Sequence, residues 1–152
     1  MDIELQKKLF EKYPKIFRQK DLSMQQTCMC WGIECGNGWY WLLDKLCDYI
    51  QSMIDNNPNT WPQIEATQVK EKYGGLCFYY DGGNSCVDGA IMLAENLSYN
   101  ICEFCGSTVD VSQSNKGWIV TLCKPCHLER NKKRKPRKSR FILFLRKLLN
   151  LV

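Results

Sequence analysis

Ten cysteines occur in the 152 residues, and four of them have a spacing that suits a metal. Cys102 and Cys105 form one Cys-x-x-Cys pair, Cys123 and Cys126 a second, with 17 residues between the pairs. Zinc takes four tetrahedral ligands, and a Cys-x-x-Cys turn aims two thiolates at one point. Gly106 permits the tight turn after the first pair, and 118–122 reads as a strand delivering the second. Four thiolates leave no open coordination position, so the site reads as one structural Zn2+ rather than a catalytic ion. His127 adjoins Cys126 as an alternative fourth ligand, and four unmetallated core thiols are the other reading. Cys28, Cys30 and Cys35 make a second, poorer cluster that needs a ligand from Cys47, Cys77 or Cys86. Its thiols read as core packing, since free Cys behaves as a small apolar residue, with a second metal left open.

The rest of the chemistry is sparse. His127 is the one histidine; a Ser-His-Asp or Cys-His site would have to use it, with no independent support, and multi-histidine nuclease sites are excluded by count. The deaminase signature fails because Pro125 lies inside the second Cys-x-x-Cys. No phosphate loop or dinucleotide fingerprint is present. Sixteen acids leave a carboxylate-pair hydrolase open, but the chain reads as a binding protein rather than an enzyme.

Positioning the cysteines requires a folded body. A short helix is expected over 2–12, with Ile3, Leu9 and Phe10 on one side and Pro14 stopping it. Residues 22–37 read as a loop. From Gly38 to about Asn56, Leu42, Leu46, Tyr49, Ile50 and Met53 recur at helical spacing. Residues 63–80 read as two strands around Gly74-Gly75. A further helix is expected over 86–100, burying Val87, Ile91, Ala94 and Leu97. The expected fold is α+β: a small antiparallel sheet with packed helices and a C-terminal zinc ribbon-like module at 101–128. Residues 1–128 form one domain in this reading, followed by a basic linker, 129–140, and an amphipathic tail helix, 141–152.

Charge divides along the same line. Of 21 basic side chains, ten lie in 130–152, which has no acid; the other 129 residues hold 11 basic and 16 acidic side chains. A polyanion would meet the tail first. Phe141, Phe144, Leu145, Leu148, Leu149, Leu151 and Val152 share one half of a helical wheel, with Arg140, Arg146 and Lys147 opposite. That pattern fits docking on the parent domain, self-association into a homo-oligomer, peripheral membrane contact, a partner groove or nucleic acid. The first residues carry no secretory signal, and cysteine-rich chains without one belong in a reducing compartment. A cytoplasmic location is expected.

One further constellation could hold a ligand. Trp31, Trp39 and Trp41 surround the start of the 38–56 helix, and Lys70 and Lys72 precede Gly74 and Gly75. Aromatic faces for a base, with lysines and free glycine N–H groups for phosphate, would suit a small nucleotide. The alternative puts the tryptophans in the core and the lysines in water.

Several stretches together resemble a family of small zinc-binding proteins of tailed phages and prophages. They are Leu9 to Pro14, Cys30-Trp31-Gly32-Ile33-Glu34-Cys35-Gly36-Asn37-Gly38-Trp39, Val69 to Tyr79, and Cys102 to Cys126 with Gly117-Trp118. The family usually has Arg where Cys77 stands, and the basic tail is not part of its pattern. The resemblance implies an accessory protein made in a bacterial host cytoplasm. It would counter host defence by sequestering a nucleotide-type signal or blocking a host protein. The competing reading is a nucleic-acid-binding protein acting through its basic tail.

Overall fold

The computed structural model describes residues 1–114 and 117–134. The tail helix expected over 141–152 lies outside these residues, as does the second half of the expected linker, 135–140. The fold is α+β. Helix α1 spans Ile3–Lys12, α2 Tyr40–Asn56, α3 Ser85–Ser98 and α4 Lys124–Arg134. Strands β1 (Ile33–Glu34), β2 (Glu65–Lys72) and β3 (Gly75–Asp81) form one sheet in that order; β4 (Val111–Gln113) and β5 (Thr121–Cys123) form a second.

The first sheet is antiparallel between β2 and β3, and β1 joins it in parallel, Ile33 opposite Val69. The stretch expected to be a loop thus contributes an edge strand of two residues, too short to leave a period-2 signal. The hairpin turn lies one residue earlier than expected. Lys72 pairs with Gly75, so Tyr73 and Gly74 are the two turn residues, with φ of 51° and 80°. Both positive φ values match the twist of the strands. Gly75 is needed for a different reason: a Cβ there would stand 2.4 Å from the Tyr99 hydroxyl.

Helix α2 buries Leu42, Leu43, Leu46, Cys47, Ile50 and Ile54. Helix α3 starts at Asn84, whose side chain accepts from the Cys86 and Val87 N–H groups, closing donors that a helix start leaves unpaired. It buries Val87, Ile91 and Ala94. Both helices, with Trp39, Phe17, Ile16, Leu9, Ile64 and Phe78, enclose one continuous core. Three side chains expected inside are not: Ile3 and Leu97 are exposed, and Tyr49 is half-exposed on α2. Each lies at the margin of its apolar stripe, where no neighbouring element covers it.

Candidate functional site

The cysteine module follows α3. The Cys102 N–H donates to Ser107 O at 2.8 Å and the Gly106 N–H to Cys102 O at 2.8 Å, closing the first Cys-x-x-Cys turn. Gly106 takes φ 77° there, the left-handed conformation in which glycine has no Cβ penalty. Strands β4 and β5 then form a hairpin, with Val111 opposite Cys123. Cys123 closes β5 and Cys126 lies in the first turn of α4. The second pair is therefore delivered by strand and helix together, closer to the treble-clef than the ribbon form of this spacing.

All four sulfur atoms lie within 4.8 Å of one another. A tetrahedral zinc with bonds near 2.3 Å places its sulfurs about 3.8 Å apart, and Cys105 Sγ and Cys123 Sγ are 3.6 Å apart. That separation is far beyond a disulfide bond of about 2.05 Å. Cys102 and Cys123 are buried while Cys105 is exposed. Burial disfavours the Cys102 thiolate, but backbone N–H groups of Cys123, Cys105 and Phe104 outweigh it and bring the pKa down to about 7. The donor set fits a thiophilic ion held for structure. His127 is turned elsewhere, with Nε2 2.9 Å from Ser112 O, so Cys126 completes the set. Among the described residues no other group of three or more His, Cys, Asp or Glu brings its ligand atoms together. Of the three thiols expected to pack in the core only Cys35 does, its pKa pushed up to about 12 by burial; Cys30 is half-buried with Sγ donating to Thr27 O, and Cys28 is exposed.

The module rests on the body through a small set of contacts. The Gly36 N–H donates to Glu103 Oε1 at 2.9 Å, the Gly38 N–H to Glu103 O at 2.7 Å, and Trp39 Nε1 to Ile101 O at 2.9 Å. A Cβ on Gly38 would lie 2.1 Å from Cys102 O, and one on Gly36 2.3 Å from Glu103 O. The Gly-Asn-Gly-Trp stretch is thus the platform on which the first cysteine turn lies. Spacing alone could not reveal this, because the two partners are more than 60 residues apart in sequence.

The nucleotide site expected from the sequence is not assembled as expected. Trp39 is fully buried, while Trp31 and Trp41 are exposed. Trp41 lines a groove between α2 and α3, whereas Lys70 and Lys72 border a separate cavity beside Tyr73 and Trp118. The Gly74 N–H is not free for phosphate, because it donates to Glu71 Oε1 at 2.6 Å. Gly74 and Gly75 face Gln113, Ile119, Thr121 and Tyr99 of this same chain rather than open space. The two aromatics that do accompany the lysines, Tyr73 and Trp118, escaped the sequence reading. Their signal was faint: a bulky residue in a two-residue turn, and a tryptophan after glycine in the loop between the cysteine pairs.

The groove was also missed. Its volume is about 450 Å³ and Lys45 is the one charged residue lining it. Trp41 is 64%, Leu93 61% and Leu97 43% exposed. Asp88 and Glu95, the two charged residues of α3, are both turned to β3, where they bond Tyr80 Oη and the Phe78 N–H. No helix among the described residues is long and apolar enough to cross a membrane. Comparison with protein-family models, with curated proteins and with solved structures finds no match to this chain.

Proposed function

We propose that the chain is a non-enzymatic binding protein. In this reading zinc at Cys102, Cys105, Cys123 and Cys126 holds its C-terminal module, and the α2–α3 groove takes an amphipathic helix of a partner protein. The observation that carries this is the uncharged outer face of α3 beside the exposed Trp41 and half-exposed Tyr49 of α2. Contiguous exposed apolar side chains on a folded surface mark interaction sites. Trp41, Lys45 and Tyr49 follow one another along two turns of α2, about 12 Å of rise. Leu93 and Leu97 lie one turn apart on α3, and Gly89 has open space where its side chain would be. Those dimensions suit two or three turns of helix laid into a groove. Lys45 favours a partner with an acidic residue beside its apolar anchors.

On the resemblance to phage and prophage proteins, the partner would be a host protein and its capture would serve counter-defence. The test is capture from bacterial lysate by the full chain and by its Leu93→Glu variant. The helix of any captured protein is then synthesised and titrated against both by calorimetry. Stoichiometric binding of that peptide, lost in Leu93→Glu, supports the reading. Capture indifferent to Leu93→Glu overturns it. Removing 141–152 should leave capture unchanged; a gain on removal would make the tail the groove's occupant. Capture that collapses between 50 and 200 mM salt and is lost without 130–152 would favour nucleic acid on the basic tail.

A further inference from the structure

A second cavity, about 540 Å³, lies where the β2–β3 turn meets the module's own hairpin. Lys70, Lys72, Tyr73 and Trp118 border it, with Glu71 among them. Two features separate it from ordinary surface. The first is a pair of large aromatic side chains left in water: Tyr73 is 72% and Trp118 68% exposed. Trp118 is nonetheless held in place. Its indole N–H donates to Glu71 Oε2 at 3.1 Å, and its carbonyl accepts from Ser114 Oγ and from Arg130 Nη2. Glu71 is itself fixed through its other oxygen by the Gly74 N–H. An exposed ring held by its edge loses little further rotamer freedom on binding.

The second feature is the charge. Lys72 Nζ lies 5.8 Å from the Tyr73 ring centroid and Lys70 Nζ 5.6 Å from that of Tyr79. Among the described residues neither lysine makes an ion pair. The one carboxylate in the lining has both oxygens engaged by N–H donors. With that carboxylate occupied, two ammonium groups border the cavity. The volume falls in the range of small-molecule sites.

We propose that this cleft binds a nucleoside monophosphate, its base against Trp118 and Tyr73 and its phosphate on Lys70 and Lys72. Stacking on an aromatic face tolerates any base, and two ammonium groups suit a phosphate monoester, which carries roughly two negative charges at neutral pH. The site is independent of the groove: it lies on other elements and shares no lining residue with it.

The experiment is calorimetric titration of the metal-loaded full chain with AMP, GMP, CMP and UMP, with adenosine and inorganic phosphate as separate probes. One-to-one binding of at least one nucleotide is expected, weakened roughly tenfold or more by Trp118→Ala. Trp118→Tyr, which keeps a stacking face, should recover part of the loss. The Lys70→Ala, Lys72→Ala double variant should lose the preference for AMP over adenosine while keeping its metal and its melting midpoint. Absence of binding to all four nucleotides overturns the proposal. So does binding that the lysine and tryptophan variants leave unchanged, or inorganic phosphate binding as tightly as the nucleotides. Leu93→Glu should bind the nucleotides as the parent does, so failure of the groove reading and failure of this one are told apart.

Discussion

The body and the cysteine module are held together by different means. Among the described residues the body gathers 23 buried side chains into one cluster, from Leu9 to Ala94. The module gathers four, Cys102, Val120, Leu122 and Cys123, two of which are the proposed metal ligands. At about 25 cal/mol per Å² of apolar surface, a cluster of the first kind can order its chain by burial. A cluster of the second kind cannot, and a metal that binds only the folded arrangement would supply the difference. With the proposed metal bound, one chain would place a burial-driven surface and a metal-driven surface side by side. The seam between them, at Gly36, Gly38 and Trp39 on one side and at the β2–β3 turn on the other, is where one can influence the other.

Removing the metal should have the largest effect. Apparent zinc binding energies in small zinc-folded units are about 10–16 kcal/mol at neutral pH. Chelation, or Cys102→Ser, is therefore expected to release one zinc per chain and to open residues 101–128. Hydrogen exchange read by peptide should show those amides losing protection while β2, β3 and the middle of α2 keep most of theirs. Full protection of 101–128 after chelation would mean that thiol packing alone holds the module, and the contrast between the regions would fail.

A core deletion should do the converse. Leu43 is fully buried on α2, and truncating such a leucine costs about 2–5 kcal/mol through lost burial and the cavity left behind. Leu43→Ala is expected to lower the free energy of denaturant unfolding by that amount, with a correspondingly lower midpoint, while the folded protein retains its zinc. Loss of zinc from folded Leu43→Ala would show that the module has no stability of its own.

Gly38→Ala should sharpen the comparison by touching both regions at once. The new methyl would stand 2.1 Å from Cys102 O and 2.4 Å from Gly106 N. Both are backbone atoms that cannot swing aside. Overpacking of this kind costs about 1–3 kcal/mol, less than the core deletion. Unlike Leu43→Ala, it pushes on the turn that carries two ligands. Competition with a chromogenic chelator should therefore show weaker zinc retention in Gly38→Ala than in Leu43→Ala. Equal retention would mean that the seam transmits nothing.

What the sequence made legible follows from how local each signal is. The cysteine set is legible because each pair is closed by one turn, and four thiols of matching spacing have few other uses. Helices α1, α2 and α3 are legible because ten or more residues each repeat one period. The β2–β3 hairpin was read correctly as a hairpin, but Gly75 drew the turn one residue late, since a glycine demanded by Tyr99 looks the same as one demanded by φ. The ligand site suffered from the same ambiguity. Trp31, Trp39 and Trp41 are near one another in sequence, yet the 3-10 turn at Asn37–Trp39 and the start of α2 send Trp39 inward and Trp41 outward. Tyr73 and Trp118 are 45 positions apart and border one cavity because Thr121 and Gln113 bond the Gly74 and Tyr73 carbonyls and Trp118 bonds Glu71. No period or motif records a meeting of that kind.

The smallest predicted effect confines itself to the body and concerns pH. Lys12 Nζ lies 2.8 Å from Asp44 Oδ1, which also accepts from Tyr13 Oη at 2.9 Å. Partial burial alone would raise the Asp44 pKa, but the bonds from Lys12 and Tyr13 outweigh it and hold the carboxyl below its ordinary value. A carboxylate with a folded pKa below its unfolded one stabilises the fold above the unfolded value and loses that contribution as pH falls through the folded value. Asp44→Asn is therefore expected to melt below the parent at pH 7, by no more than about 3 °C. The gap should begin to narrow below about pH 4, the ordinary carboxylate range, and close once the pH passes the lower folded value. Acid also strips thiolate-bound zinc, but it does so from both proteins alike, so the difference between them isolates Asp44. The zinc content of the variant at pH 7 should equal that of the parent, because Asp44 bonds Lys12 and Tyr13 at the C-terminal end of α1, the opposite end from Asp2, which bonds Asn37. A gap that persists unchanged at pH 3 would assign the effect to packing of the Asp44 side chain rather than to its charge.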